Sequence, residues 1–324
     1  MPGMNDTDVG DSQPPGRGLD AARAALGATL ARCWGLESAG PEQVLRLAGG
    51  ARAVLRVPCT GRDVVAKLHV PPRAAAAREM ALLVLLRERT DLRAHLLEPI
   101  PTKAGELCVE FAGASLTLTV HLLADGPQPS VALWAQLGAL TARLHAVELG
   151  ELAPGSGSAF TFAPVRAELV ADAPPGPDQE AYRRLLANLP DLDASPTALI
   201  HTDLAPSNVL ATGDGTVILT DFDDLGLGPR VFDLGFPLLC WFHDGDVFDE
   251  ASALAFYGAY GARHRLDAQE RALIVDAGIF YACMYWSLPQ SPARLRAALW
   301  AAGPGRALIE RVLARAWDQG RGGS

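Results

Sequence analysis

Residues 201–224, HTDLAPSNVLATGDGTVILTDFDD, constrain the fold of this chain more than any other segment. Residues 209–212 and 217–220 are β-prone quartets, and the Gly213-Asp214-Gly215-Thr216 between them has the residue types of a hairpin turn. Symmetric pairing sets Thr212 opposite Val217 and Val209 opposite Thr220, so the next pair outward is Asn208 and Asp221. Opposed residues of an antiparallel pair have Cα atoms about 4.5 to 5.5 Å apart. The spacing therefore predicts an amide oxygen and a carboxylate side by side at the open end of one hairpin.

Both groups are hard oxygen donors of the kind that suit Mg²⁺, which takes few protein ligands and completes its octahedron with water and phosphate oxygens. Asp203 lies five residues before Asn208, on a loop kinked by Pro206, and is placed to face the same spot with its carboxylate available to a hydroxyl proton. Phosphoryl transfer asks little more of a protein than charge neutralisation and a positioned nucleophile.

Elsewhere the pattern divides into a β-rich first third and a helical remainder. Leu19, Leu26, Leu30 and Trp34 predict an amphipathic helix over 19–36, ended with the help of Gly35 and Gly40. Residues 43–48, 53–59 and 63–70 read as a three-stranded meander, 73–90 as a helix, and 97–99 and 107–111 as short strands. Ala112-Gly113 then reads as a hinge into the helical part. There, Leu133, Leu137, Leu140, Leu144 and Val147 step by helical intervals, and further helices are expected over 178–188, 251–263, 268–286, 292–301 and 304–317. The expected organisation is a tail over 1–18, a small lobe over 19–112 and a larger lobe over 113–324.

With 49% apolar residues the chain can supply a sizeable core. A formal charge of -9 argues against a nucleic-acid partner, whose phosphates demand a basic surface. No apolar run is long enough for a membrane span, since residues 272–286 are interrupted by Asp276, and residues 1–18 lack the order of a signal peptide. The five cysteines are scattered, with no C-x-x-C pair, which suits a reducing cytoplasm. Of 28 basic residues only Lys67 and Lys103 are lysine. Lys67 sits in the apolar strand Val64-Val65-Ala66-Lys67-Leu68, where an ammonium needs a partner, and Glu79 can supply it.

The motifs H-x-D-x-x-x-x-N (His201, Asp203, Asn208) and D-F-D (Asp221 to Asp223), followed by Asp233-Leu234, resemble those of the aminoglycoside phosphotransferase family. That family is similar in fold to choline kinases and, more distantly, to protein kinases. The resemblance covers roughly residues 43–315 and implies an α+β, two-lobed protein kinase-like fold, with ATP or GTP as phosphate donor, Mg²⁺ as cofactor and a small-molecule hydroxyl as acceptor. It makes Asp203 the catalytic aspartate, Asn208 and Asp221 the metal ligands, and Lys67, held by Glu79, the residue on the α- and β-phosphates. In the resembling folds the adenine edge bonds to backbone at the positions of Glu110 and Ala112, whereas the Gly49-Gly50 turn is not the G-x-G-x-x-G loop of protein kinases, and backbone contacts to phosphate are expected over residues 49–53, Gly49 and Gly50 among them. His201 and Asp233 look like braces of the loop, and His145 like a packing residue. Thr202 departs from the pattern, because the family usually has glycine there.

The acidic segment 243–250, with Asp244, Asp246, Asp249 and Glu250, suggests a cationic acceptor. In the resembling family acidic residues of the larger lobe receive aminoglycosides, so Asp244 and Asp246 are candidate acceptor contacts and the expected function is phosphorylation of an antibiotic. Asp249 and Glu250 also suit the start of the next helix. The alternatives are a metabolic kinase for choline, an amino alcohol or a sugar, and a nucleotide-binding module without transfer activity.

Overall fold

The computed structural model describes residues 25–48, 52–69, 73–89, 91–122, 124–125, 129–148, 158–244, 247–286 and 292–319. The fold is α+β and divides into two compact units, one drawing on the chain up to Ala81 and on Glu98–His121, the other on Leu82–Leu97 and on Leu122 onward. The expected tail over 1–18, together with Gly49, Gly50 and Asp246, lies outside the described residues.

The first unit is built on β1 (Gln43–Ala48), β2 (Arg52–Cys59), β3 (Arg62–His69), β4 (Val109–Phe111) and β5 (Ala114–Val120), in the order β1-β2-β3-β5-β4. All its pairs are antiparallel. Cross-strand neighbours Leu55, Ala66 and Leu118 share one face and join Leu26, Leu30 and Trp34 in its core. The helical segment that carries those last three residues ends as expected at Gly35, whose φ of 71° is a left-handed cap. It is anchored by the Trp34 indole, which donates to the Ile100 carbonyl at 2.8 Å.

Ala112-Gly113 is not a hinge. Phe111 pairs with Ala114, and both intervening residues have positive φ, 51° and 77°, which is the two-residue primed turn that matches the twist of a hairpin. The chain turns back there into β5, a strand the sequence reading omitted, and leaves the sheet only after Val120. Glu110 lies within β4, opposite Ser115, and Ala112 is exposed in the turn.

In the second unit α2 (Val131–His145) buries Leu133, Leu137, Leu140 and Leu144 as its spacing predicts. The short strands β6 (Ala124–Asp125) and β7 (Ser158–Ala159) and two further helices, α3 (Phe162–Ala171) and α4 (Gln179–Ala187), precede the strands that frame the site. β8 (Thr197–Ile200) runs antiparallel to β11 (Gly226–Pro229), and β9 (Val209–Thr212) to β10 (Val217–Leu219). Then come α5 (Val231–Cys240), α6 (Glu250–Gly261), α7 (Ala268–Trp286), α8 (Pro292–Ala302) and α9 (Arg306–Gln319). No described helix is long and apolar enough to cross a membrane. The five cysteines are free thiols.

Helices that carry site residues approach each other closely at glycines. A Cβ on Gly138 of α2 would run into the Phe256 carbonyl of α6, and one on Gly235 of α5 would lie 2.5 Å from both Ala277 Cβ and Gly278 N of α7. Because the obstruction at Gly235 includes backbone, Gly235→Ala must push the two helices apart. The expected cost is about 1 to 3 kcal/mol. Urea unfolding should show a lower midpoint with an unchanged m value, and an unshifted midpoint would contradict this packing.

Candidate active site

The geometry of the loop from His201 to Asn208 starts at Asp233, which α5 presents at only 1% exposure. Its carboxylate accepts the backbone N–H groups of His201 (2.7 Å, Oδ2) and Thr202 (2.9 Å, Oδ1). His145 of α2 adds a third bond, Nε2 to Asp233 Oδ2 at 3.1 Å, in which the ring nitrogen must donate because a carboxylate only accepts. The other nitrogen of His145 meets the Tyr260 hydroxyl at 3.0 Å. A buried carboxylate is costly without such partners, and here they tie three elements to the loop. The bracing role implied for Asp233 and the packing role of His145 match this geometry. His201 also braces the loop, since its Nε2 lies 3.0 Å from the Thr220 carbonyl and its ring packs on Phe222.

Thr202 shows why glycine is usual at its position. Its φ is +69°, a conformation that is strained for a β-branched residue. The N–H bond to Asp233 holds it there, with its hydroxyl 2.6 Å from the His201 carbonyl and its own carbonyl accepting from the Tyr281 hydroxyl at 2.9 Å. Strain of this sort costs on the order of 1 to 3 kcal/mol and persists only where the surroundings over-determine the backbone.

From this anchor the loop delivers Asp203 and Asn208. The Asn208 amide nitrogen donates to the Asp203 carbonyl at 3.0 Å and to Asp203 Oδ2 at 2.8 Å. Its oxygen therefore points away from Asp203, toward the Ser207 hydroxyl at 3.3 Å.

The hairpin register itself differs from the symmetric one by a residue. Leu219 pairs with Val209 and Val217 with Ala211, and Thr220 N–H donates to the Asn208 carbonyl at 2.9 Å, so Thr220 and not Asp221 stands opposite Asn208. The cause lies in the turn. Thr212 N–H donates to the Thr216 carbonyl, Gly213-Asp214-Gly215 form a three-residue loop, and Gly215 takes φ +84°. Asp221 follows one residue past the pair in a left-handed conformation, φ +63°, which aspartate tolerates better than most residues. The carboxylate of Asp221 and the amide oxygen of Asn208 are both hard donors, so the residues present fit Mg²⁺.

In the first unit Lys67 Nζ lies 3.1 and 3.3 Å from the two carboxylate oxygens of Glu79, which α1 (Arg73–Arg89) supplies. The side chains are 14% and 4% exposed, so the pair is well removed from water. Lys67 is flanked across the sheet by Val54 and Thr117, which places it on the face opposite the Leu55, Ala66 and Leu118 core.

Three aromatic residues that the sequence reading did not single out also reach the loop. Tyr281 and Tyr285, four apart on α7, donate to the Thr202 carbonyl and to Asp203 Oδ1 (2.7 Å), and the Trp241 indole donates to the Leu204 carbonyl at 2.6 Å. Burial first, then the nearby Asp203 carboxylate and the hydrogen bond to it, hold the Tyr285 phenol well above its ordinary pKa. It stays a donor. Burial pushes the Cys240 thiol up to about 12, so it is no nucleophile.

The profile of the phosphotransferase enzyme family matches residues 43–270, which include Lys67, the loop from His201 to Asn208 and the hairpin. The chain belongs to this family. Among curated proteins it is similar to homoserine kinases, 32% identical over 158 residues to that of Methylocella silvestris and 30% over 189 to that of Nitrobacter winogradskyi. Those matches take in 45% and 55% of this chain and 48% and 57% of the relatives, so the chain spans about half the length of the curated relatives it matches. Among solved structures, spectinomycin phosphotransferase with ADP and spectinomycin superposes at TM-score 0.59 and 16% identity, over 91% of this chain and 98% of that one. Choline kinase LicA from Streptococcus pneumoniae superposes at 0.56 and 14%, over 92% and 98%. At such identities the structural likeness speaks for the fold, which is protein kinase-like.

Proposed function

We propose that this member of the phosphotransferase family moves the γ-phosphoryl group of ATP onto a hydroxyl of a small molecule that also carries an amino group. The observation that carries the reading is the Asp203–Asn208 arrangement. The amide nitrogen fixes the carboxylate at 2.8 Å, and the loop that carries both is locked by Asp233. The acceptor oxygen forms its bond to the γ-phosphorus as the bond to the β,γ-bridging oxygen breaks, ADP leaves, and the hydroxyl proton passes to Asp203. Asn208 and Asp221 would hold Mg²⁺, which when bound neutralises phosphate charge. Lys67, kept extended by Glu79, would take the α- and β-phosphates, with Gly49 and Gly50 offering backbone N–H groups. GTP remains an alternative donor in this scheme. Five free thiols suit a cytoplasmic setting.

For the acceptor, the aminoglycoside expectation rested on the acidic segment 243–250. Asp249 caps α6 by accepting the Ser252 N–H at 3.0 Å, and Glu250 lies in the first turn of that helix. Asp244 is exposed on β12 (His243–Asp244), leaving it as the described carboxylate available to a polycation. A second reading, an amino alcohol or hydroxy amino acid of homoserine's size, is favoured by the homoserine kinases among the relatives. Both readings meet one test, ADP release with L-homoserine or with an aminoglycoside as the added acceptor. Stimulation by L-homoserine alone selects the metabolic reading. Stimulation by the aminoglycoside, with a KM raised by Asp244→Asn and less so at high salt, selects the other. Failure of every hydroxylated amine to stimulate release would remove both.

A further inference from the structure

The loop from Thr202 to Leu204 is held residue by residue by aromatic side chains, through the Thr202 carbonyl, the Asp203 carboxylate and the Leu204 carbonyl. Two of these bonds go to backbone and hold the path of the chain. Tyr285 alone of the three reaches the side chain assigned to the chemistry. With its phenol 2.7 Å from Oδ1 and the Asn208 amide 2.8 Å from Oδ2, both oxygens of Asp203 are pinned from separate elements, so the carboxylate cannot rotate about its own bond. Each carboxylate oxygen has two lone-pair sites, and one on each is still open to an acceptor hydroxyl. Tyr285 is itself steadied by the Phe236 ring, edge-on at 5.6 Å, and its high phenol pKa keeps it a donor across the neutral range.

We propose that Tyr285 is a positioning residue for phosphoryl transfer, holding Asp203 Oδ1 so that the carboxylate meets the acceptor hydroxyl in one fixed orientation. The inference rests on Asp203 being the group that receives the hydroxyl proton. A hydrogen bond to a charged group, lost without loss of volume, should lower the rate roughly tenfold or more. Because the hydrogen bond of the phenol goes to Asp203 Oδ1, the change acts on the acceptor side and nucleotide KM should not follow.

The experiment is a double-mutant cycle on the full chain, read as hydrolysis of Mg-ATP with water as the acceptor, so that no unidentified substrate is needed. Expected is a kcat for Tyr285→Phe about tenfold below wild type with an unchanged KM for ATP, and no further loss when the same change is made in Asp203→Asn. An equal loss in both backgrounds would make Tyr285 a general structural support and overturn the proposal, as would an unaltered kcat in Tyr285→Phe. If Asp203→Asn alone left the rate unchanged, the assignment of Asp203 would fall first and take this inference with it. A lower kcat for Asp203→Asn beside a wild-type rate for Tyr285→Phe removes the inference only.

Discussion

Asp203→Ala is expected to lower kcat at least 10²-fold while the affinity for nucleotide stays close to that of the wild type. The side chain is not among the groups proposed to hold the triphosphate or its metal, although its Oδ2 accepts from the Asn208 amide; Tyr285 engages its other oxygen, and its proposed task is to orient the acceptor hydroxyl and receive its proton. Fold should survive the change. The loop is anchored through the backbone of His201 and Thr202 to Asp233, and neither bond involves the Asp203 carboxylate. Stopped-time ADP assays and nucleotide titration by fluorescence or calorimetry separate the two effects. A variant keeping more than about a tenth of the wild-type kcat would contradict the role, since general-base positioning contributes 10²-fold or more.

The second large effect is expected at Asp221. Replacing it with alanine should abolish Mg²⁺-dependent nucleotide binding, whereas Asn208→Ala should mainly raise the Mg²⁺ concentration needed for half-maximal rate. A carboxylate brings a full negative charge to the cation and an amide only a dipole. The backbone adds to the contrast, because φ of +63° at residue 221 suits alanine poorly, so part of the loss in Asp221→Ala is conformational. Asp221→Asn tests the charge with less backbone penalty, since asparagine also tolerates that region. It should bind Mg-nucleotide weakly and in a way that rising Mg²⁺ partly restores. Identical Mg²⁺ titrations for the wild type, Asn208→Ala and Asp221→Asn would refute the pairing of these residues on a cation.

Much of this site was legible along the chain because its chemistry lies in 24 consecutive residues, 201–224, where local turn rules and strand propensity dictate neighbours. Lys67 and Glu79 were legible for a similar reason, being close in sequence with an unpaired charge on an apolar strand to demand a partner, and they lie 3.1 Å apart. The Asn208–Asp221 register was legible only to within one residue. Whether Gly213-Asp214-Gly215-Thr216 turns as a four-residue or a three-residue loop depends on which glycine takes the left-handed conformation, and a single-residue slip changes every partner. β5 was overlooked although Ser115, Leu116, Thr117, Leu118 and Thr119 alternate with period two, because Ala112-Gly113 read as a hinge. α5 was overlooked because VFDLGFPLLC is apolar on all sides and contains Gly235 and Pro237, which leaves no periodicity to detect.

By itself, the sequence determined the α+β character, the helical faces of the second unit and, through its motifs, the family resemblance, and it put forward Asp203, Asn208, Asp221, Lys67 and Glu79 as candidates. The fold character and the helical faces follow from period and propensity, and the Asn208–Asp221 and Lys67–Glu79 candidates from short spacing, which act between residues near in the chain, whereas the family came from the H-x-D-x-x-x-x-N and D-F-D motifs. Tertiary structure decided what holds those groups still. Asp233 reaches back 32 residues to the His201 N–H, Tyr285 reaches 82 to the Asp203 carboxylate, and His145 meets Asp233 across 88. Such contacts depend on how α2, α5 and α7 pack, at approaches as close as Gly235 against Ala277 and Gly278, and no local pattern encodes which polar tip will end beside which oxygen.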